Sequence, residues 1–345
     1  MFNTLWRTHD YSMSRGIGEI DWVQELIPDW MALLIGLLTQ LGDAWFLVLV
    51  LAVLYWSRPA LQDGVLLVMG MYVAGRSFYR YLKFVFELPR PDDPLLDPEL
   101  VPWFVRPLYE ATAFASGYGF PSGHAISATI VYFGLATVLT AGTRRLRYVT
   151  AAVLVAVVGF TRIALGVHYL VDIVVGVALG GVFVFVTFRS VQFVSRDRVT
   201  VVLVIAIVTA GLYVFESRAD LEAVLALGIA LGLFGGWQLV VLAREVLART
   251  RPSQTARPIA VRGGLAALSF APLVAALEFV PLLAGEPFPL GAIAGIGAAL
   301  AVVLPIARYS PHVAAVLAGL SFWLRAALAT LRSILRRTAG RLRSR

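Results

Sequence analysis

Apolar runs close to the ~20 residues that carry a helix across ~30 Å of hydrocarbon recur along this chain from one end to the other. They fall near 31–55, 61–83, 122–140, 147–166, 169–188, 199–216, 221–243, 262–283 and 289–308, each bounded by charge, proline or glycine. With 59% apolar residues, 14% charged residues and a mean hydropathy of +0.81, the chain has too little polar surface for a soluble protein of its size. The pattern predicts an all-α, polytopic transmembrane helical bundle of about nine spans. The first run holds Gly42-Asp43 near its middle, where a carboxylate is costly. Either Asp43 faces the bundle interior, or residues 31–41 form a shallow re-entrant helix and Asp43 caps the span that follows.

A net charge of +8 suggests nucleic acid in a soluble protein, but in a membrane protein it first sets orientation, and no nucleic-acid partner is expected. If alternate spans run in opposite directions, the connections near 58, 144–147, 189–198 and 244–262 share one face with Arg308 and the tail. That face collects 20 of the 29 basic residues and only Asp63, Asp197 and Glu245 of the 21 acids. The bias makes it cytoplasmic and the N-terminus external, in a multi-pass protein of the plasma membrane. Residues 1–30 show no apolar core of a cleavable leader. The stretch 313–331, interrupted by Arg325 and followed by arginines from Arg332 to Arg345, reads as an amphipathic helix on the inner leaflet. The outer connection 89–121 is long, acidic and rich in prolines that oppose regular helix. The small residues of Gly291-Ala-Ile-Ala-Gly295 suit close helix packing.

Three clusters carry chemistry. Of 29 basic residues only Lys83 is a lysine, and it opens Lys83-Phe-Val-Phe-Glu-Leu-Pro-Arg90-Pro91 at the outer end of the second run. Arg76 and Arg80 share its helical face, where they serve an anion or snorkel to headgroups. The third run opens with Pro121-Ser122-Gly123-His124: a helix start with free amides, a hydroxyl and an imidazole able to protonate a departing alkoxide or simply to sit at the interface. Between the fourth and fifth runs stands Thr161-Arg162 followed by His168 and Asp172, four apart, so that the acid can fix the imidazole tautomer. Each cluster alone is a weak signal, but all three fall on the outer face. Cysteine is absent, which excludes thiolate chemistry, and no spacing of histidines and carboxylates suits a metal.

Lysine, six residues, Arg-Pro, then Pro-Ser-Gly-His, then arginine, five residues, histidine, three residues, aspartate resembles the three-part signature of the type 2 phosphatidic acid phosphatase and vanadium haloperoxidase superfamily, in its membrane lipid-phosphate phosphatase branch. The match spans 83–172 and departs at Thr161, where the family usually has serine; threonine keeps the hydroxyl. The resemblance implies a six-span core over 1–216, added helices over 217–309 and a basic tail over 310–345. It implies metal-independent phosphoryl transfer with no cofactor, His168 as nucleophile, Asp172 as its orienting acid and His124 as the acid for the leaving alcohol. Lys83, Arg90 and Arg162 would hold the phosphoryl oxygens with Ser122 and the amide of Gly123, and Arg76, Arg80 and Thr161 would be accessory. The substrate implied is a lipid phosphate or diphosphate of the bilayer, such as phosphatidic acid, phosphatidylglycerol phosphate or a polyprenyl diphosphate. Two other functions stay open: a phosphotransferase handing the same group to an alcohol, and a non-catalytic transport or binding protein built on the added spans. Against the last, the spans over 221–308 are expected to lack a cluster of ionisable residues.

Overall fold

The structure is a computed structural model that describes residues 15–91, 93–97, 99, 101, 103, 106–113, 117–193, 197–249, 254–278, 287–312, 314–315 and 318–319. Among these residues the chain is an all-α bundle without strands. Its helices are α1 (Glu19–Glu25), α2 (Met31–Thr39), α3 (Ala44–Ser57), α4 (Gln62–Phe86), α5 (Arg106–Ala113), α6 (Gly123–Val138), α7 (Arg144–Ala164), α8 (Leu170–Gln192), α9 (Arg198–Glu216), α10 (Leu221–Leu247), α11 (Ala256–Glu278) and α12 (Phe288–Tyr309). Every apolar run in the sequence meets a helix.

Six of these, α7 to α12, are long and apolar enough by themselves to cross a membrane, and α2 with α3 would make a seventh span although the pair bends by 51°. Two further apolar runs, in α4 and α6, fall short of that length or hydropathy for physical reasons. Helix α6 has 16 residues, about 24 Å of rise, and α4 carries Asp63, Arg76, Arg80 and Lys83 along its 25 residues. The break between α2 and α3 lies at Gly42-Asp43, after a 3₁₀ turn over Gln40–Gly42. Asp43 is extended there (φ −75°, ψ 149°), and its carbonyl accepts from the Leu47 amide to start α3. The loop 89–121 is not free of helix, since α5 forms within it with Pro107 in its first turn, where proline costs no hydrogen bond.

Packing divides the chain into two compact units, Met1–Leu54 with Gly75–Phe193, and Tyr55–Ala74 with Val194–Arg345. In the first, α6 packs on α7 and α8, and α2 packs on α7 and α5. In the second, α10 packs on α9, α11 and α12. The expected core boundary at 216 and the packing boundary at 193 differ by α9, which lies with α10. The small-residue stripe does bring two backbones together: a Cβ on Gly228 would stand 1.9 Å from the Gly291 carbonyl oxygen, and one on Gly232 1.8 Å from that of Gly295.

The expectation that 221–308 lack a cluster of ionisable residues is corrected. Arg262 lies 2.6 Å from Asp197 and 3.3 Å from Glu245, and donates to Gln238; Glu245 also pairs with Arg249. Arg249, Arg257 and Arg262 line a cavity of about 450 Å³ with Glu245. These charges are dispersed in sequence, and a π-turn over Ile259–Gly263 within α11 carries Arg262 back toward α10. The amphipathic tail expected over 313–331 lies outside the described residues except at 314–315 and 318–319.

Candidate active site

Within the first unit, four stretches meet: the end of α4 with the chain after it, the start of α6, the turn between α7 and α8, and the break between α2 and α3. Each is shaped by local sequence. Proline at 121 precedes Ser122, which caps α6 by accepting from the Ala125 amide at 3.5 Å, while the Ser122 amide donates to the Asp172 carbonyl at 3.1 Å. The capping contact occupies a lone pair of the hydroxyl oxygen and leaves its proton to donate elsewhere. Gly123 is required by a close approach, because a Cβ there would stand 2.6 Å from the Tyr79 ring of α4. Gly166 allows the α7–α8 turn: its φ is +66°, and a side chain would collide with the Asp93 carbonyl.

His168 is 1% exposed and Asp172 is fully buried. Nδ1 of His168 lies 3.3 Å from Oδ2 of Asp172, and Nε2 lies 3.0 Å from Nη1 of Arg90. A guanidinium can only donate, so Nε2 is the acceptor and Nδ1 carries the proton toward the carboxylate. That tautomer leaves Nε2 unprotonated, as a nucleophilic imidazole requires, and attack needs Arg90 to turn its N–H from this lone pair to a phosphoryl oxygen. Burial, reinforced by Arg90, Arg162 and Lys83, holds His168 well below the ordinary imidazole value. Since the neutral ring is the nucleophile, a lowered pKa keeps it reactive as pH falls. The acid limb of kcat/KM is expected below 6.5 once substrate ionisation is allowed for, and Arg90→Gln, which removes the largest of these charges, should move it upward. A pH–rate profile with that limb at or above 6.5 and unmoved by Arg90→Gln would contradict this.

The cations converge as the sequence suggests. Lys83, buried at the end of α4, donates to the Tyr118 carbonyl, and Arg90 donates to the carbonyls of Gly117 and Val167, both at 3.1 Å. Arg162 is 2% exposed and donates from Nη1 to Thr39 Oγ1 at 2.9 Å, while its buried Nε has no hydrogen-bond partner among the described residues. Three cations and an unsatisfied donor around one imidazole call for an anion.

The accessory residues fare differently. Arg76 donates to the Tyr79 hydroxyl at 3.0 Å, and the Arg80 guanidinium sits 6.0 Å from the Tyr79 ring, so both flank the tyrosine that packs on Gly123. Thr161 is fully buried and its hydroxyl donates to the Val158 carbonyl at 2.7 Å, within its own helix.

Two further contributors lie outside the three sequence clusters. Arg15 donates from Nε to Asp172 Oδ1 at 3.1 Å and from Nη2 to Oδ2 at 3.3 Å, and its guanidinium lies 5.0 Å from the Tyr169 ring. Asp172 also accepts from the Tyr169 amide at 3.1 Å, so one buried carboxylate serves Arg15, His168 and a helix start together. The second is Asp43, whose Oδ1 lies 3.1 Å from Nε2 of His124. The approach lies off the axis of an aligned hydrogen bond, and both side chains keep some exposure, 29% and 22%.

Residues 64–196 match the model of the PAP2 superfamily. Over 117 residues the chain is 33% identical to phosphatidylglycerophosphatase B of Bacillus subtilis (strain 168), a match over 31% of this chain that spans only 58% of that relative. Among solved structures, the chain is similar to a transmembrane PAP2 type phosphatidylglycerolphosphate phosphatase from Bacillus subtilis. That likeness has 24% identity and a TM-score of 0.43, over 52% of this chain and 85% of the other. LpxE of Aquifex aeolicus is 20% identical, with a TM-score of 0.37 over 51% of this chain and 96% of the other.

Proposed function

We propose that this member of the PAP2 superfamily is an integral membrane phosphatase that hydrolyses a lipid phosphate or diphosphate through a phosphohistidine, without a metal. The observation that supports the reading most is the placement of His168 Nε2 3.0 Å from Arg90, with Nδ1 toward Asp172, inside a ring of cations. In the first step Nε2 attacks phosphorus and the bond to the lipid oxygen breaks as His124 gives that oxygen a proton. In the second, water attacks phosphorus, the P–N bond breaks, His124 takes the water proton, and the electron pair returns to Nε2. Lys83, Arg90 and Arg162 neutralise charge on the phosphoryl oxygens throughout, joined by the Ser122 hydroxyl and the Gly123 amide. The name of the Bacillus subtilis relative places phosphatidylglycerol phosphate first among the substrates to try, with phosphatidic acid and polyprenyl diphosphates beside it.

Purified protein incubated with that panel, with chelator present, should release inorganic phosphate from at least one lipid. Release that needs added magnesium would remove the metal-free mechanism. An acceptor-dependent phospholipid product without matching free phosphate would make the protein a transferase, and no turnover of any kind would leave a non-catalytic role.

The site belongs, on this reading, to the outer face of the plasma membrane, with the N-terminus outside and the arginine tail cytoplasmic. The 20-to-9 partition of basic residues supports that orientation. Single cysteines placed in this cysteine-free chain test it: Asp97→Cys should react with an impermeant thiol reagent on intact cells, and Arg145→Cys only after lysis. The opposite pattern would invert the topology.

A further inference from the structure

The broken first span reaches the site at two points four residues apart. Thr39, at the end of α2, accepts from Arg162, and Asp43, at the start of α3, stands 3.1 Å from His124. Neither residue belongs to the three clusters in the sequence. The break is itself built against the site. The Tyr132 hydroxyl of α6 donates to the Leu41 carbonyl at 2.6 Å, and a Cβ on Gly42 would stand 2.6 Å from Val158 of α7 and 3.0 Å from the His124 ring. Glycine at 42 is what lets the bent backbone lie close enough for the next residue to meet the imidazole.

We propose that Asp43 is the positioning residue of His124, holding its Nε2 so that the other ring nitrogen carries the proton given to the leaving lipid oxygen. The inference rests on the proposed role of His124. An imidazolium beside Arg162 and Arg90 lacks a compensating negative charge, and the Asp43 carboxylate is placed to supply it. Partial exposure of both side chains leaves room for the ring to settle when substrate arrives, and contacts of this kind tighten from loose geometry on binding. The bend at 42–43 thereby acquires a chemical reason: a continuous helix over 31–57 would carry residue 43 on with the rod instead of turning its carboxylate to α6. The nucleophile is served separately, since His168 has its own carboxylate in Asp172.

The test is the dependence of rate on the leaving group. With full-length protein in detergent, Asp43→Asn should slow hydrolysis of an alkyl phosphate on the order of tenfold or more. Hydrolysis of an aryl phosphate, whose leaving oxygen needs no proton, should change much less and so also reports that the variant is folded. Asp43→Glu should restore part of the alkyl rate. In a His124→Ala background Asp43→Asn should add little, because the group it positions is gone. Equal loss on both substrates, or full additivity with His124→Ala, would overturn the role of Asp43 while leaving the phosphatase reading intact. Absence of turnover by the unmodified protein would instead remove that reading.

Discussion

His168→Ala should abolish both phosphohistidine and turnover on every substrate, a loss larger than that of any other single change in the site. The reason is geometric. Among the described residues, Nε2 of His168 is the one imidazole nitrogen within hydrogen-bonding distance of Arg90, and its tautomer is fixed by Asp172 through Nδ1. His124 approaches Asp43 instead, so it is not placed to take over the attack. Removing the carboxylate should cost less than removing the ring. Asp172→Asn retains a nucleophile but loses the charge that orients it, and by analogy with the orienting acid of a catalytic triad the decline is on the order of 10²-fold or more. Asp172 differs from a simple partner in also holding Arg15, so Arg15→Ala should leave the phosphoenzyme accessible while lowering its rate of formation. Rapid quench of labelled substrate measures both.

His124→Ala should have the next largest effect, and its size should depend on substrate. A lipid alkoxide is a poor leaving group whose departure requires a proton, so general-acid loss is expected to cost roughly 10²- to 10⁴-fold there. An aryl phosphate leaves without that help and should recover much of the rate. Phosphohistidine should still form on His168 in this variant when the leaving group is good. A uniform loss across leaving groups would show that His124 binds phosphate or supports the fold instead of delivering a proton.

The parts of this site that could be read from sequence are those whose geometry is local. His168 and Asp172 meet because the histidine immediately precedes the extended N-cap Tyr169 and the aspartate caps the first turn of α8, and Ser122-Gly123-His124 open α6 because a capping hydroxyl and a small residue follow proline. Lys83 and Arg90 converge because the chain leaving α4 folds back on 117–119, where the Gly119 amide donates to the Leu88 carbonyl. Arg15 and Thr39 carry no such signal. They reach Asp172 and Arg162 by tertiary packing across 157 and 123 positions, a distance over which periodicity says nothing. Asp43 was conspicuous as an acid inside an apolar run, but only the 51° bend shows which side chain it meets. Thr161 illustrates the converse: its hydroxyl fits the signature by residue type, yet it is directed into its own helix. The ionisable cluster in the second unit escaped notice because its members are spread from Asp197 to Arg262 and are gathered by the π-turn in α11.

The most direct test of the central assignment is to incubate the full-length protein with phosphate-labelled lipid, quench it rapidly and map the acid-labile label by residue. The account predicts label on His168 in the unmodified protein and in His124→Ala supplied with a labelled aryl phosphate, and none in His168→Ala. Label that persists in His168→Ala and disappears in His124→Ala would contradict it, and would move the nucleophile from the α7–α8 turn to the first turn of α6.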